Sequence, residues 1–255
     1  MNEYFLESHV QSIVDSELNN GRKKHISKIH PEINFRMNSF NILVGNQSAS
    51  KTTTVMKELM KLSMIDDVTE YHLIIYVTNN DSDDTFNSLL KYIRIPCVKT
   101  DYSSVDKQFE QLIQLKEMYN KMVDGYLQQD PSILPALYIN DFSRERLHTV
   151  VLFDDASFVF EKNTKSKFKR WLCQCRHLNI TVFCCIQIWN SLDPKLKTQL
   201  SSVFLFKGFS RERLQYIYRQ LPIDMNFEAF FEIYTNLKQY QKIIIDCIDN
   251  TVEVI

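Results

Sequence analysis

The stretch Asn41-Ile42-Leu43-Val44-Gly45-Asn46-Gln47-Ser48-Ala49-Ser50-Lys51-Thr52-Thr53 holds the residue types a triphosphate would need. An apolar run ends at a glycine, and a Lys-Thr pair soon opens a segment of helical apolar spacing. In that arrangement successive backbone N–H groups and the positive end of the helix converge where an anion can sit. Lys51 would reach the β and γ oxygens, and the Thr52 hydroxyl would complete a magnesium shell. Gly45, Asn46, Gln47, Ser48, Ala49, Ser50, Lys51, Thr52 and Thr53 are therefore expected to cradle a nucleoside triphosphate. The usual pattern, G-x-x-x-x-G-K-[ST], places glycine before the lysine. Here Ser50 stands there and gives up part of glycine's backbone freedom. Taken alone, the stretch also fits a strand–turn–helix with a surface lysine.

A second stretch, Val150-Val151-Leu152-Phe153-Asp154-Asp155, reads as a buried parallel strand whose carboxyl end delivers two acids to the ligand edge of a sheet. In nucleotide-hydrolysing enzymes with such a loop, the first acid orients magnesium and the second positions or deprotonates the attacking water. Those roles would fall to Asp154 and Asp155. On its own the segment also fits a core strand with two solvated acids. The two stretches together point to a site for a nucleotide and Mg2+.

The elements that must position these groups follow from the apolar spacing. Strands are expected over 39–44, 72–78, 95–99, 150–155, 180–187 and 202–207, and helices over 51–63, 86–93, 105–127, 165–175, 211–220 and 227–237. Lys242–Ile248 and Val252–Ile255 flank Asp249-Asn250 and suggest a C-terminal hairpin with a two-residue turn. The alternation predicts an α/β fold, a mostly parallel sheet covered by helices on both faces. Residues 1–38 read as a polar N-terminal arm or short helical extension, and 39–255 as one domain. The run Phe-Ser-Arg-Glu-Arg-Leu occurs at 142–147 and again at 209–214, with flanks too different for a repeat.

Composition narrows the classes. A chain of 255 residues, 44% hydrophobic, can bury a sizeable core as one domain. No apolar stretch approaches the roughly 20 residues that span a bilayer, and the N-terminus lacks signal-peptide order. A soluble intracellular protein is expected. The cysteines Cys97, Cys173, Cys175, Cys184, Cys185 and Cys247 form no C-x-x-C pair and read as free, mostly buried thiols. A metal site at Cys173, Cys175 and His177 is a minor alternative. The formal net charge of −1 excludes a uniformly basic coat. Lys162, Lys165, Lys167, Lys169, Arg170, Arg176 and His177 nevertheless crowd one stretch, which fits a solvated helix face as well as a DNA contact.

Absences exclude several classes. There is no Asn-Lys-x-Asp run to read guanine and no Leu-Ser-Gly-Gly-Gln segment of a transporter ATPase. What remains is Arg176-His177-Leu178-Asn179 before a strand that ends at Gln187, beside Asp155. Gln187 could hold the attacking water, or simply cap a strand end.

With these motifs in this order, the chain resembles the genome-packaging ATPases of poxviruses, giant viruses and virophages, members of the FtsK–HerA group of DNA-pumping motors. The resemblance covers residues 39–221. It implies a P-loop ATPase with Walker A and Walker B motifs, using ATP and Mg2+ and acting as a double-stranded DNA translocase. Lys51 and Thr52 would bind phosphates and Mg2+, Asp154 would support the metal, and Asp155 would activate water. Gln187 would sense the γ-phosphate, and Arg176 would reach a neighbouring subunit's ATP site. A homo-oligomeric ring (pentamer or hexamer), a viral capsid or portal partner, no membrane, and a location in the host-cell cytoplasm (viral factory) or in association with the virion are implied as well. A DNA helicase or recombination ATPase, and a nucleotide-dependent assembly protein without turnover, are the alternatives.

Overall fold

The computed structural model describes residues 33–64, 71–80, 84–93, 95–127, 148–157 and 171–255. Residues 1–32 of the expected arm, the Lys162–Arg170 run and the 142–147 copy of the repeated hexapeptide lie outside the described residues.

Period-2 alternation in six apolar strands builds the scaffold. These are β1 (Phe40–Val44), β2 (Tyr71–Val77), β3 (Cys97–Thr100), β4 (His148–Phe153), β5 (Ile180–Ile186) and β6 (Ser202–Phe206). On β1, Phe40, Ile42 and Val44 join one apolar cluster while Leu43 joins the other. On β5, Val182 and Cys184 face the first cluster, and Phe183 and Cys185 the second. Such strands are buried on both faces, which suits parallel pairing with helices on each side.

The strands pair as expected. With the C-terminal strands β7 (Lys242–Asp246) and β8 (Thr251–Val254), the described residues form one sheet of order β3-β2-β4-β5-β1-β6-β7-β8. Pairing is parallel from β3 to β6 and antiparallel beyond it. One face is covered by α1 (Lys51–Met64) and α2 (Asp84–Leu90), through Val55, Met56, Leu59, Leu62 and Phe86. The other carries α3 (Val105–Leu127), α5 (Arg211–Tyr218) and α6 (Phe227–Thr235), through Phe109, Leu214, Ile217 and Phe230. The chain just before β1 belongs to the sheet's packing. Ile33 and Phe35 are buried, and the Arg36 guanidinium pairs with Asp246 at 2.9 Å.

Two local expectations need correction, and two short elements were not expected. The helix expected to reach Cys175 is helical only at Trp171 and Leu172 in its described part, and residues 173–179 are turns. Tight bonds from Gln174 N–H to Trp171 O (2.8 Å) and from His177 N–H to Gln174 O (2.9 Å) replace the helical ladder there. The hairpin joins through residues 247–250, not through Asp249-Asn250 alone. Asp246 Oδ1 accepts the N–H groups of Ile248 and Asp249 at 2.8 and 3.0 Å, so the turn begins earlier. Finally, a 3-10 turn (Trp189–Ser191) and a short helix, α4 (Pro194–Lys197), follow β5. Both are too short to leave a periodic signal.

Candidate functional site

The stretch expected to bind phosphate lies where β1 meets α1, at the carboxyl edge of the parallel strands, with Lys51 as the first helical residue. Two of the chain's four glycines shape it. A side chain at Gly45 would meet Phe206 Cβ at 2.8 Å and Ala49 Cβ at 3.0 Å, so only glycine lets the loop pass this close to β6. Gly208, at φ +124°, brings its carbonyl to Asn46 Nδ2 at 3.1 Å and ties the β6 exit to the loop. Ser48 and Ser50 take left-handed conformations, φ 62° and 64°. Ser50 therefore adopts a backbone that glycine would enter more easily. The Ser50 carbonyl still accepts the Thr54 N–H and hydroxyl, each at 2.9 Å, which starts the helix.

The Lys51 ammonium turns back on the loop and donates to the carbonyls of Gly45 and Asn46, both at 2.9 Å. Burial lowers its pKa, against the raising influence of Cys185, Asp154 and Asp155. Cys185 is close enough to interact with Lys51 and Thr52, and burial holds its thiol far above the ordinary range.

The two acids arrive as the β4 strand ends. Asp154 N–H donates to Val77 O on one side and Ala156 N–H to Cys185 O on the other, both at 2.9 Å. Between them Asp155 takes φ 49°, which sends successive carboxylates in different directions. The Thr52 hydroxyl donates to Asp154 Oδ1 at 2.7 Å, joining the two sequence-predicted stretches in one site. Gln187, leaving β5, donates through Nε2 to Asp155 Oδ1 at 2.9 Å. Thr52 and Asp154 are hard oxygen donors already in contact, the donor chemistry Mg2+ prefers, so these two residues could hold that ion.

Arg176 is not in this group. It lies in the exposed turn before β5, where Nη2 donates to Ser201 Oγ at 3.3 Å. Ser201 directly precedes β6, so Arg176 sits at the amino edge of the parallel strands, opposite the loop. A strand of this length separates the two edges by about 20 Å at ~3.3 Å per residue. Arg176 therefore cannot complete the site of its own chain.

Two residues near the acids were missed in the sequence. Tyr76 Oη donates to Asp154 Oδ2 at 3.3 Å, its ring stacked on Phe86 with centroids 3.7 Å apart. Tyr102 donates its hydroxyl to the Asp154 carbonyl. Both look like ordinary core aromatics in the sequence, and only the sheet order brings them to Asp154. Among the described residues no cluster of three His, Cys, Asp or Glu side chains could hold a metal. Cys173 is exposed while Cys175 is buried. No described helix is long and apolar enough to cross a membrane.

No protein-family model matches the chain, and no curated protein matches it in sequence. Solved structures do share its fold. The DNA-packaging ATPase B204 from Sulfolobus Turreted Icosahedral Virus aligns with a TM-score of 0.57 at 16% identity, over 86% of this chain and 97% of that one. The genome packaging NTPase B204 from Sulfolobus turreted icosahedral virus 2, in complex with ATP-gammaS, gives 0.55 at 18% identity, over 85% and 96%. Its complex with AMP gives 0.55 at 17%, over 85% and 96%. At these identities the likeness is one of fold: a mostly parallel P-loop sheet flanked by helices, with a C-terminal antiparallel hairpin.

Proposed function

We propose that the chain is an ATP-hydrolysing motor that moves double-stranded DNA into a viral capsid, with residues 39–255 working as one ATPase domain. The observation that carries this reading is the 2.7 Å contact between Thr52 and Asp154, which puts the helix N-terminus and the strand-end acids around one space. A triphosphate placed there would meet the loop N–H groups, the positive end of α1 and Lys51. To bind it, the Lys51 ammonium must exchange its two loop carbonyls for phosphate oxygens. Bound Mg2+, held by Thr52 and Asp154, would neutralise charge developing on the phosphates. Asp155 would orient or deprotonate the attacking water, and Gln187, bonded to Asp155, would hold that water in line.

The remote position of Arg176 supports a ring. An arginine that neutralises transition-state charge contributes about 10³–10⁵ in rate, and this one can act only on another copy's site. Heterologous contacts that close form such a ring, with a central channel for DNA. The fold shared with B204, a genome packaging NTPase, supports packaging as the task. A capsid or portal partner and a place in the host-cell cytoplasm belong to the same reading.

Phosphate release measured over a wide range of protein concentration, with and without linear duplex DNA, tests it. Specific activity should rise with protein concentration and with DNA, and Arg176→Ala should abolish the concentration-dependent part. Turnover independent of concentration and unaltered by Arg176→Ala would defeat the ring. Strand displacement on a forked duplex would favour a helicase instead.

A further inference from the structure

Immediately after Gln187 the chain changes character. Residues 187–220 hold six lysines and arginines against two acids, Asp193 and Glu212, in a chain whose formal net charge is −1. Three of the cations are used structurally, Lys197 beside Trp189 and Gln220 and two others near α6. Lys207 donates to the carbonyls of Thr235 and Leu237 at the end of α6, and Arg211 pairs with Glu228 while stacking on Phe231 at 4.6 Å. Lys195, Arg213 and Arg219 are exposed and form no ion pair among the described residues.

Arg213 lines a cavity of about 310 Å³ between the segment after β5 and α5, together with Gln187, Ile188, Trp189, Glu212 and Tyr216. Lys195 lies on the first of these segments and Arg219 at the end of the second. Ile188 and Tyr216 are 57% and 46% exposed and both belong to this lining. The floor is firm. Lys197 Nζ lies 4.9 Å from the Trp189 ring and donates to Gln220 Oε1 at 2.8 Å, and Trp189 Nε1 donates to the same oxygen at 3.2 Å. Of the acids nearby, Asp193 accepts the Lys195 N–H at 3.0 Å, and Glu212, in the first turn of α5, lines the same cavity.

We propose that this surface, the segment Ile188–Thr198 together with the exposed side of α5, grips the phosphate backbone of duplex DNA. Unpaired lysine and arginine side chains around a fixed apolar floor match a polyanion read without sequence preference. With no acid partner among the described residues, these three cations are open to an anion from outside the fold. Its first residue follows Gln187, which touches Asp155, so a duplex held there lies directly beside the hydrolytic group. The inference rests on the DNA-motor reading above and assigns the DNA contact that reading leaves open.

Fluorescence anisotropy with a labelled duplex of arbitrary sequence tests it, titrated at several salt concentrations. The triple variant Lys195→Glu/Arg213→Glu/Arg219→Glu should lose at least ~30-fold in affinity. Its dependence of log Kd on log salt should flatten by about 0.9 for each phosphate contact removed. Basal phosphate release without DNA should stay at the wild-type rate, which shows that the variant folds. A control, Lys107→Glu/Lys121→Glu on the exposed side of α3, should bind nearly as wild type. Wild-type affinity in the triple variant, or an equal loss in the control, would overturn the surface and leave the motor reading intact. Failure of the wild-type protein to bind duplex at low salt would overturn both.

Discussion

Ser50 is the residue where the phosphate loop departs from its usual pattern, and its backbone shows how the departure is tolerated. At φ 64° it holds the left-handed conformation that glycine would supply, and a non-glycine residue there is strained by about 1 kcal/mol. Ser50→Gly should raise the unfolding free energy by up to about 1 kcal/mol in urea titrations and leave hydrolysis intact. A loss of activity would show that the serine hydroxyl does chemistry. Asp154 and Asp155 are separated by the turn at φ 49°, which lets one meet Thr52 and the other Gln187. These four residues were legible in the sequence because loop, acids and glutamine each end an apolar strand. Tyr76 and Tyr102 were not, since an aromatic near a strand gives no sign of the oxygen it will touch.

At the scale of elements, the spacing of apolar residues predicted each strand of the sheet to within a residue or two, and α3 over its full length. Long, strongly periodic segments are set by burial of one stripe or both faces, which is written in the sequence. The 3-10 turn and α4 were not visible, because their form depends on Trp189 and Leu196 finding the core. The loop after β6 is held by tertiary contacts as well. Tyr234 Oη donates to Phe206 O at 2.9 Å and accepts the Phe209 N–H at 2.8 Å, and Gly208 leaves room for Asn46. Gly208→Ala would force its Cβ to within 2.7 Å of Asn46 Nδ2 at a φ that alanine avoids. It should weaken ATP binding at least ~10-fold in calorimetry while the far-ultraviolet circular dichroism stays unchanged.

On α3, Lys116 is buried, its Nζ 3.4 Å from Asn179 O, and burial pushes its pKa down to about 7. Above that value the folded chain holds one proton fewer than the unfolded chain, so stability rises with pH between about 7 and the ordinary lysine range. Thermal unfolding should show that rise in the wild type and a flatter profile in Lys116→Met, which should also be the more stable protein at neutral pH. Identical profiles would mean that the ammonium finds water in the folded state.

At the scale of the molecule, the candidate residues fall on two edges of one sheet. The carboxyl edge carries the loop, the acids and Gln187, and the amino edge carries Arg176. The sequence shows both sets of residues but not their separation, because distance across a sheet depends on strand order rather than on spacing along the chain. Under the proposed function, that separation leaves Arg176 to act on a neighbouring copy. The central claim, that a triphosphate sits between α1 and the strand-end acids, is tested most directly by ATP binding and hydrolysis measured together in Asp155→Asn, beside Lys51→Ala. An asparagine can still accept the Gln187 hydrogen bond, so Asp155→Asn should bind ATP within a few-fold of wild type and hydrolyse it at least ~100-fold more slowly, whereas Lys51→Ala should lose binding itself. Hydrolysis at the wild-type rate in Asp155→Asn, or unchanged ATP affinity in Lys51→Ala, would contradict the account.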